Sequence, residues 1–266
     1  MAILTQFVLR LCFGLAAGMA ITSPRQVTSG YFRNHLYVLL GLNVLAAMVA
    51  VASKGRLPVW PPAVAAALSY FGAVLWLYEK PQAGRLALSL IAAVDLAAAW
   101  LGGVLLPASA TSSGATGGAS TMFDGSGTTL LKWLDPPTGG LVLGVTIAAM
   151  FLGHWYLNTP SMELAPLRRL VRLSVSAVVL RGLVCGVGLT ALWMTDGMPD
   201  KTVLSFLALR WLSGILGPLW LAWMTMRTLD IPNTQSATGI LYVSVIATFT
   251  GELCSQLLSH GARFPL

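Results

Sequence analysis

Eight apolar runs, each near the roughly 20 residues a helix needs to cross the hydrocarbon core of a bilayer, constrain this chain more than any other feature. They cover 3–21, 35–52, 57–78, 86–106, 141–157, 173–193, 203–224 and 239–258, well over half of the 266 residues. Strict period-2 alternation is absent, which disfavours a membrane β-barrel. Helices are the other way to satisfy backbone groups in lipid. The expected fold is therefore all-α, a polytopic integral membrane protein with about eight transmembrane helices. Charge agrees with this. Only 9% of residues are charged, against about 25% in ordinary soluble domains. That is too few to coat a globule in water, and it excludes a soluble enzyme, a disordered chain and a free nucleic-acid binder. No nucleic-acid partner is expected, and lipid is.

The net charge of +7 reads as topology, because basic residues mark cytoplasmic loops. The odd-numbered loops hold Arg25, Arg33, Lys80, Arg85, Arg168, Arg169, Arg172 and Arg227; the even loops and termini hold Lys54, Arg56, Lys132, Lys201 and Arg263. The bias puts the odd loops in the cytoplasm and both termini outside. Composition suits a bacterial cytoplasmic membrane. The first ten residues, MAILTQFVLR, lack a basic leader, so the first run is expected to be a retained helix.

Residues 1–106 read as a first four-helix half and 141–266 as a second. Between them lies 107–140, a Gly/Ser/Thr-rich loop ending in LLKWLDPP, a short amphipathic stretch suited to the interface. A short internal match supports two halves. Thr22-Ser23-Pro24 followed by Arg33 corresponds to Asn158-Thr159-Pro160 followed by Arg169, with one offset of 136 residues for both pairs. Gly14-x3-Gly18 and Gly182-x3-Gly186 are small-residue patterns for close helix contact. The polar run Asn233, Thr234, Gln235 and Ser236 suits a cap for the eighth helix.

Five runs carry an ionisable residue well inside: Arg10, Asp95, Arg181, Arg210 and Glu252. Each is costly in lipid unless it faces protein or a wet cavity. By position, Asp95 and Arg181 lie near the midplane and Arg10, Arg210 and Glu252 in the outer half. Three cations against two anions leave one surplus positive charge, a feature that could meet an anionic ligand, a haem propionate or a reduced quinone. His35 and His154 share one side of the membrane and are the only histidine pair that could ligate a single haem b; His260 lies on the other. His154, Trp155 and Tyr156 look like an interfacial aromatic belt, or a second place to hydrogen-bond and stack a quinone headgroup. Cys12, Cys185 and Cys254 have no metal-ligand spacing. H-E-x-x-H, G-x-S-x-G and P-loop motifs are absent.

The stretch Ile240-Leu241-Tyr242-Val243-Ser244-Val245-Ile246, followed by Gly251-Glu252-Leu253, resembles the last helix of the membrane-anchor subunits of dimethyl sulfoxide reductase and the related polysulfide and nitrite reductases. The resemblance covers about twenty residues. It implies eight helices in two four-helix bundles, external termini, and electron transfer between the quinone pool and an attached iron–sulfur subunit, usually without haem. Ser255-Gln256 stand where that family places an arginine. The nearest counterpart of its His and following Pro, His154 and Pro160, ends the fifth run instead of the second. Only Glu252 carries over as a functional residue.

The expectation is an integral subunit of a respiratory or redox complex that binds quinone. Glu252 would be the proton acceptor, and Arg210 or Arg10 would stabilise the reduced headgroup. His154 and Tyr156 form a second candidate region, with Asp95 and Arg181 as further ligand-binding candidates. No metal site of its own is expected, so other membrane and peripheral subunits would bring the electron carriers. A secondary transporter or channel, and a structural or assembly subunit without a site, are the alternatives.

Overall fold

In a computed structural model the chain is mainly helical over the described residues, which are 2–53, 57–102, 126–159, 162–196, 200–231, 233–261 and 264–266. The helices are α1 (Ala2–Ile21), α2 (Ser29–Ala52), α3 (Trp60–Leu77), α4 (Pro81–Trp100), α5 (Ser126–Asn158), α6 (Ala165–Asp196), α7 (Lys201–Trp211), α8 (Gly217–Asp230) and α9 (Thr234–Gly261). A π-helical turn, Leu212–Leu216, joins α7 to α8, so that the two make one span, Lys201–Asp230. Among the described residues, eight helical segments are thus long and apolar enough to cross a membrane. The outer faces carry exposed Met48, Phe71, Leu183, Leu212, Trp220 and Ile246. This is an integral membrane protein.

Several spans begin earlier than their apolar runs. The fifth starts at Thr129 where 141 was expected, and the sixth at Ala165 where 173 was expected. The added turns carry Lys132, Arg169 and Arg172, which are exposed and lower the local hydropathy, while Asp135 among them is held inside the protein by Arg10 and Arg181. The correction matters most at 126–140. LLKWLDPP is no separate interfacial segment but the opening turns of α5, with Pro136 and Pro137 inside the helix. A proline cannot donate to the carbonyl four residues back. The carbonyl of Trp133, which Pro137 leaves without its helical partner, accepts from the Trp100 indole at 2.9 Å, and the Leu134 carbonyl accepts from Thr138 Oγ1 at 2.7 Å. The rest of the expected linker, 107–125, lies outside the described residues, as does Pro160 of the internal match.

α1 to α4 close into one ring of neighbours. α5, α6, α8 and α9 close into a second, with α7 and the π turn packed on α9. α1 and α5 form the seam between the rings. They run parallel: Gly14 meets Gly140 and Gly144, and Gly18 meets Val145 and Ala148. A Cβ on Gly14 would sit 1.8 Å from the Gly140 carbonyl oxygen, and one on Gly144 would sit 1.9 Å from the Gly14 carbonyl carbon. Only glycine allows these backbones to touch. Gly182 and Gly186, read from sequence as a second seam, meet the side chains of Ile215 and Trp211 at 3.5 and 3.7 Å, ordinary contact distances. On the face where α1 ends, the two connecting loops also engage. Gln26 Nε2 donates to Glu163 Oε2 at 2.8 Å and the Trp155 indole to Thr28 Oγ1 at 2.8 Å. Asn233 Oδ1 accepts from the Ser236 amide at 3.0 Å, the expected cap of α9.

A methyl group added at Gly14 should destabilise the protein by about 1–3 kcal/mol or more. Gly41, whose Cβ would meet nothing within 4 Å, is the control. Thermal melting in mild detergent should show a lowered midpoint for Gly14→Ala and none for Gly41→Ala; equal midpoints would mean that the seam does not hold the halves together.

Candidate functional site

Five side chains from five spans meet in one buried chain of alternating charge. Arg10 on α1 donates through Nη2 to Asp135 Oδ2 at 2.6 Å. Arg181 on α6 donates through Nη1 to Asp135 Oδ1 at 2.7 Å. The other nitrogens of Arg181 grip Glu252 on α9 as a fork, Nε to Oε1 at 2.8 Å and Nη2 to Oε2 at 2.9 Å. Arg210 on α7 ends the chain, with Nη2 3.8 Å from Glu252 Oε1. Arg181 and Arg210 are fully buried, and Glu252 is nearly so. The order Arg10, Asp135, Arg181, Glu252, Arg210 places every anion between two cations.

The local sequence makes room for this. Asp135 precedes Pro136-Pro137, and Gly139 follows; a Cβ on Gly139 would lie 2.7 Å from Glu252 Oε2. A Cβ on Gly140 would lie 2.7 Å from the Arg10 carbonyl oxygen. Gly214 in the π turn packs against Gly251, the residue before Glu252, so closely that a Cβ on Gly251 would stand 2.1 Å from the Gly214 Cα. π turns are rare and concentrate at functional sites. Small residues thus lower α1 and α9 onto α5, and the seventh span onto α9, at the level of the charges. Around them, Thr138 Oγ1 accepts from Arg181 Nη1 at 3.3 Å and Ser255 Oγ accepts from Arg181 Nη2 at 3.0 Å. Ser255 in turn donates to the Leu266 carbonyl. Phe264 and Leu266 are buried, and 264–266 turn back against the bundle beside Gly188.

Arg181 is saturated, but Arg210 is not. Its Nη2 donates to Cys185 Sγ at 2.8 Å, and its guanidinium carbon lies 5.7 Å from the Trp211 ring centroid. Its Nε and Nη1 are buried with no hydrogen-bond partner among the described residues. Nε and Nη1 of Arg10 share that condition. With three guanidiniums and two carboxylates, the cluster keeps one surplus positive charge, and its free donors sit at its two ends.

The sequence expectations for the site are corrected in three ways. Arg181 is not set apart with Asp95 at the midplane; its long side chain reaches the same cluster as Arg10, Arg210 and Glu252. Asp95 is not the second anion of that cluster. It faces Asn43 of α2, whose Nδ2 lies 3.4 Å from its Oδ2. The second anion is Asp135, which lies in LLKWLDPP, the stretch expected at the interface and outside the spans. The Gly140-x3-Gly144 pattern after it, spaced to match Gly14 and Gly18, was the available signal.

His154 and Tyr156 do not share a pocket. His154 is exposed, with Nδ1 3.4 Å from the Tyr242 hydroxyl. Tyr156 is buried and donates to the Glu163 carbonyl. His35 is buried, donates through Nδ1 to the Tyr31 carbonyl at 2.6 Å, and stacks on Phe151 with centroids 4.4 Å apart. The two histidines proposed for haem thus occupy different surroundings, one packed among aromatic rings and one at the surface. Among the described residues, no group of three or more His, Cys, Asp and Glu is placed to hold a metal ion.

Removing one partner of a buried ion pair costs about 3–5 kcal/mol, because the other charge is left uncompensated. Asp135→Asn should therefore destabilise strongly. Adding Arg10→Gln should recover part of the loss, since it removes the cation that the first change strands. Detergent-stability midpoints for the two single variants and the double variant would show this. Simple addition of the two losses would mean that the residues do not act as a pair.

No family model, no curated protein and no solved structure matches this chain, so the reading of the site rests on its geometry.

Proposed function

We propose that this protein is a quinone-interacting membrane subunit of a redox complex, working beside a subunit that carries the electron-transfer centres. The observation that supports this best is the free pair of buried donors on Arg210, at the end of a cluster with one surplus positive charge. A quinone headgroup offers carbonyl oxygens that become anionic on reduction. Buried guanidinium donors bind such oxygens more tightly as the negative charge develops. Glu252, the carboxylate closest to Arg210, is the proton-exchanging group on this reading. Arg181, Asp135 and Arg10 hold it in place. The exposed apolar surface of the seventh span beyond the π turn, with Trp220 and Trp223, suits an isoprenoid tail arriving from lipid. With odd loops in the cytoplasm, the cluster lies in the outer half of a bacterial cytoplasmic membrane.

A second reading, an anion transporter, is favoured by one specific feature. The seventh span widens to a π turn at Leu212–Leu216 and continues at once into Gly217-Pro218, beside the charge cluster. Interrupted helices are where transporters commonly build their binding sites.

Three measurements separate these. Mass spectrometry of the chain purified in mild detergent should find stoichiometric redox subunits, and Arg210→Gln should lower quinol-linked turnover of that complex by roughly tenfold or more with assembly intact. A chain that purifies alone and moves an anion into liposomes would replace the first reading with the second.

A further inference from the structure

The first bundle holds a buried carboxyl of another kind. Asp95 on α4 and Asn43 on α2 are both fully buried, well inside their spans. Asn43 Nδ2 is shared between the Leu39 carbonyl at 3.2 Å and Asp95 Oδ2 at 3.4 Å. Asp95 Oδ1 and Asn43 Oδ1 have no hydrogen-bond partner among the described residues. No ion pair reaches Asp95 there, whereas Asp135 and Glu252 are each flanked by two guanidiniums. Of the helices packed around α4, α1 presents one titratable group to Asp95, the buried thiol of Cys12. It brings no positive charge.

The pair is therefore short of one hydrogen-bond donor and one positive charge. A lone carboxylate in a dry, apolar bundle costs far more than a neutral carboxylic acid. A proton supplies both missing items at once, because a protonated carboxyl is itself a donor. Hard metal cations gather about six or more oxygens, and two free ones are too few.

We propose that Asp95 and Asn43 form an exchangeable proton-binding site in the first bundle, separate from the arginine chain of the second. The proton binds at the Asp95 carboxyl and comes from the aqueous phase, and no electron or other group moves with it. The proposal stands whichever reading of the arginine cluster holds. It makes proton uptake and release a function of α2 and α4, where nothing in the cluster reaches.

Infrared spectra of the lipid-reconstituted protein test it. The difference between the native chain and Asp95→Asn at neutral pH should contain the carbonyl band of a protonated carboxyl, and that band should shift in deuterated water. Carboxylate bands in its place would overturn the proposal, and so would a carbonyl band that never shifts, since that proton does not exchange. Reaction of the native protein with dicyclohexylcarbodiimide, read by peptide mass spectrometry, needs no variant to fold. Adducts are expected on Asp95 and not on Asp135 or Glu252. Absence of an adduct on Asp95, or protection of Asp95 by sodium ions, would also overturn it.

Discussion

Asp135 is the residue on which the second bundle and its junction with the first depend. In hydrocarbon an arginine must find an acceptor, and Arg10 and Arg181 find the same one, from opposite sides. Because Arg181 also holds Glu252 as a fork, one carboxylate on α5 links α1, α6 and α9 through guanidinium bridges. Such a chain is costly to build, since each charge loses its hydration. Once built, it leaves few alternative arrangements, because any slip of one helix strands a charge. The register of five spans is thereby tied to one level of the membrane.

That chain needs backbones closer than ordinary side chains permit, and glycine supplies this. Gly14, Gly140 and Gly144 bring α1 against α5, and Gly214 and Gly251 bring the seventh span against α9. Both contacts flank the charges. Dispersion and close packing hold membrane helices together where the hydrophobic effect between them is small, so the small-residue seams and the ion pairs act at the same places. The prolines at 136 and 137 fit this scheme. Pro137 frees the Trp133 carbonyl, which the Trp100 indole then occupies, and this donor-poor turn is where Asp135 meets its two arginines.

The two bundles treat their buried acids differently. The second surrounds Asp135 and Glu252 with guanidiniums and ends with free donors on Arg210. The first leaves Asp95 with an amide alone. One half therefore pairs its buried acids with arginines, Arg10 of the neighbouring α1 included, and the other leaves its buried acid without a cation among the described residues, although the helical plans of the halves are alike. A protein that combines an electron carrier or an anion with protons would use such a division.

Hydropathy by itself determined the all-helical, eight-span architecture, because a backbone in lipid has no other economical way to satisfy its polar groups without a barrel. It also marked Arg10, Arg181, Arg210 and Glu252 as residues that must find partners, and Gly14 and Gly18 as a contact face. The sequence did not reveal which charges pair. Pairing depends on the rotation and depth of each helix, and long arginine side chains erase the depth differences that position along a span implies, as Arg181 does. It also misplaced Asp135, since LLKWLDPP reads as an interfacial stretch outside the spans and only the tertiary structure puts it inside α5. Tertiary structure alone decided that Asp95 stands apart with Asn43. The physical reason is direction: Arg10, the guanidinium buried in the first bundle, is turned to Asp135 of α5, and among the described residues no other guanidinium pairs with Asp95.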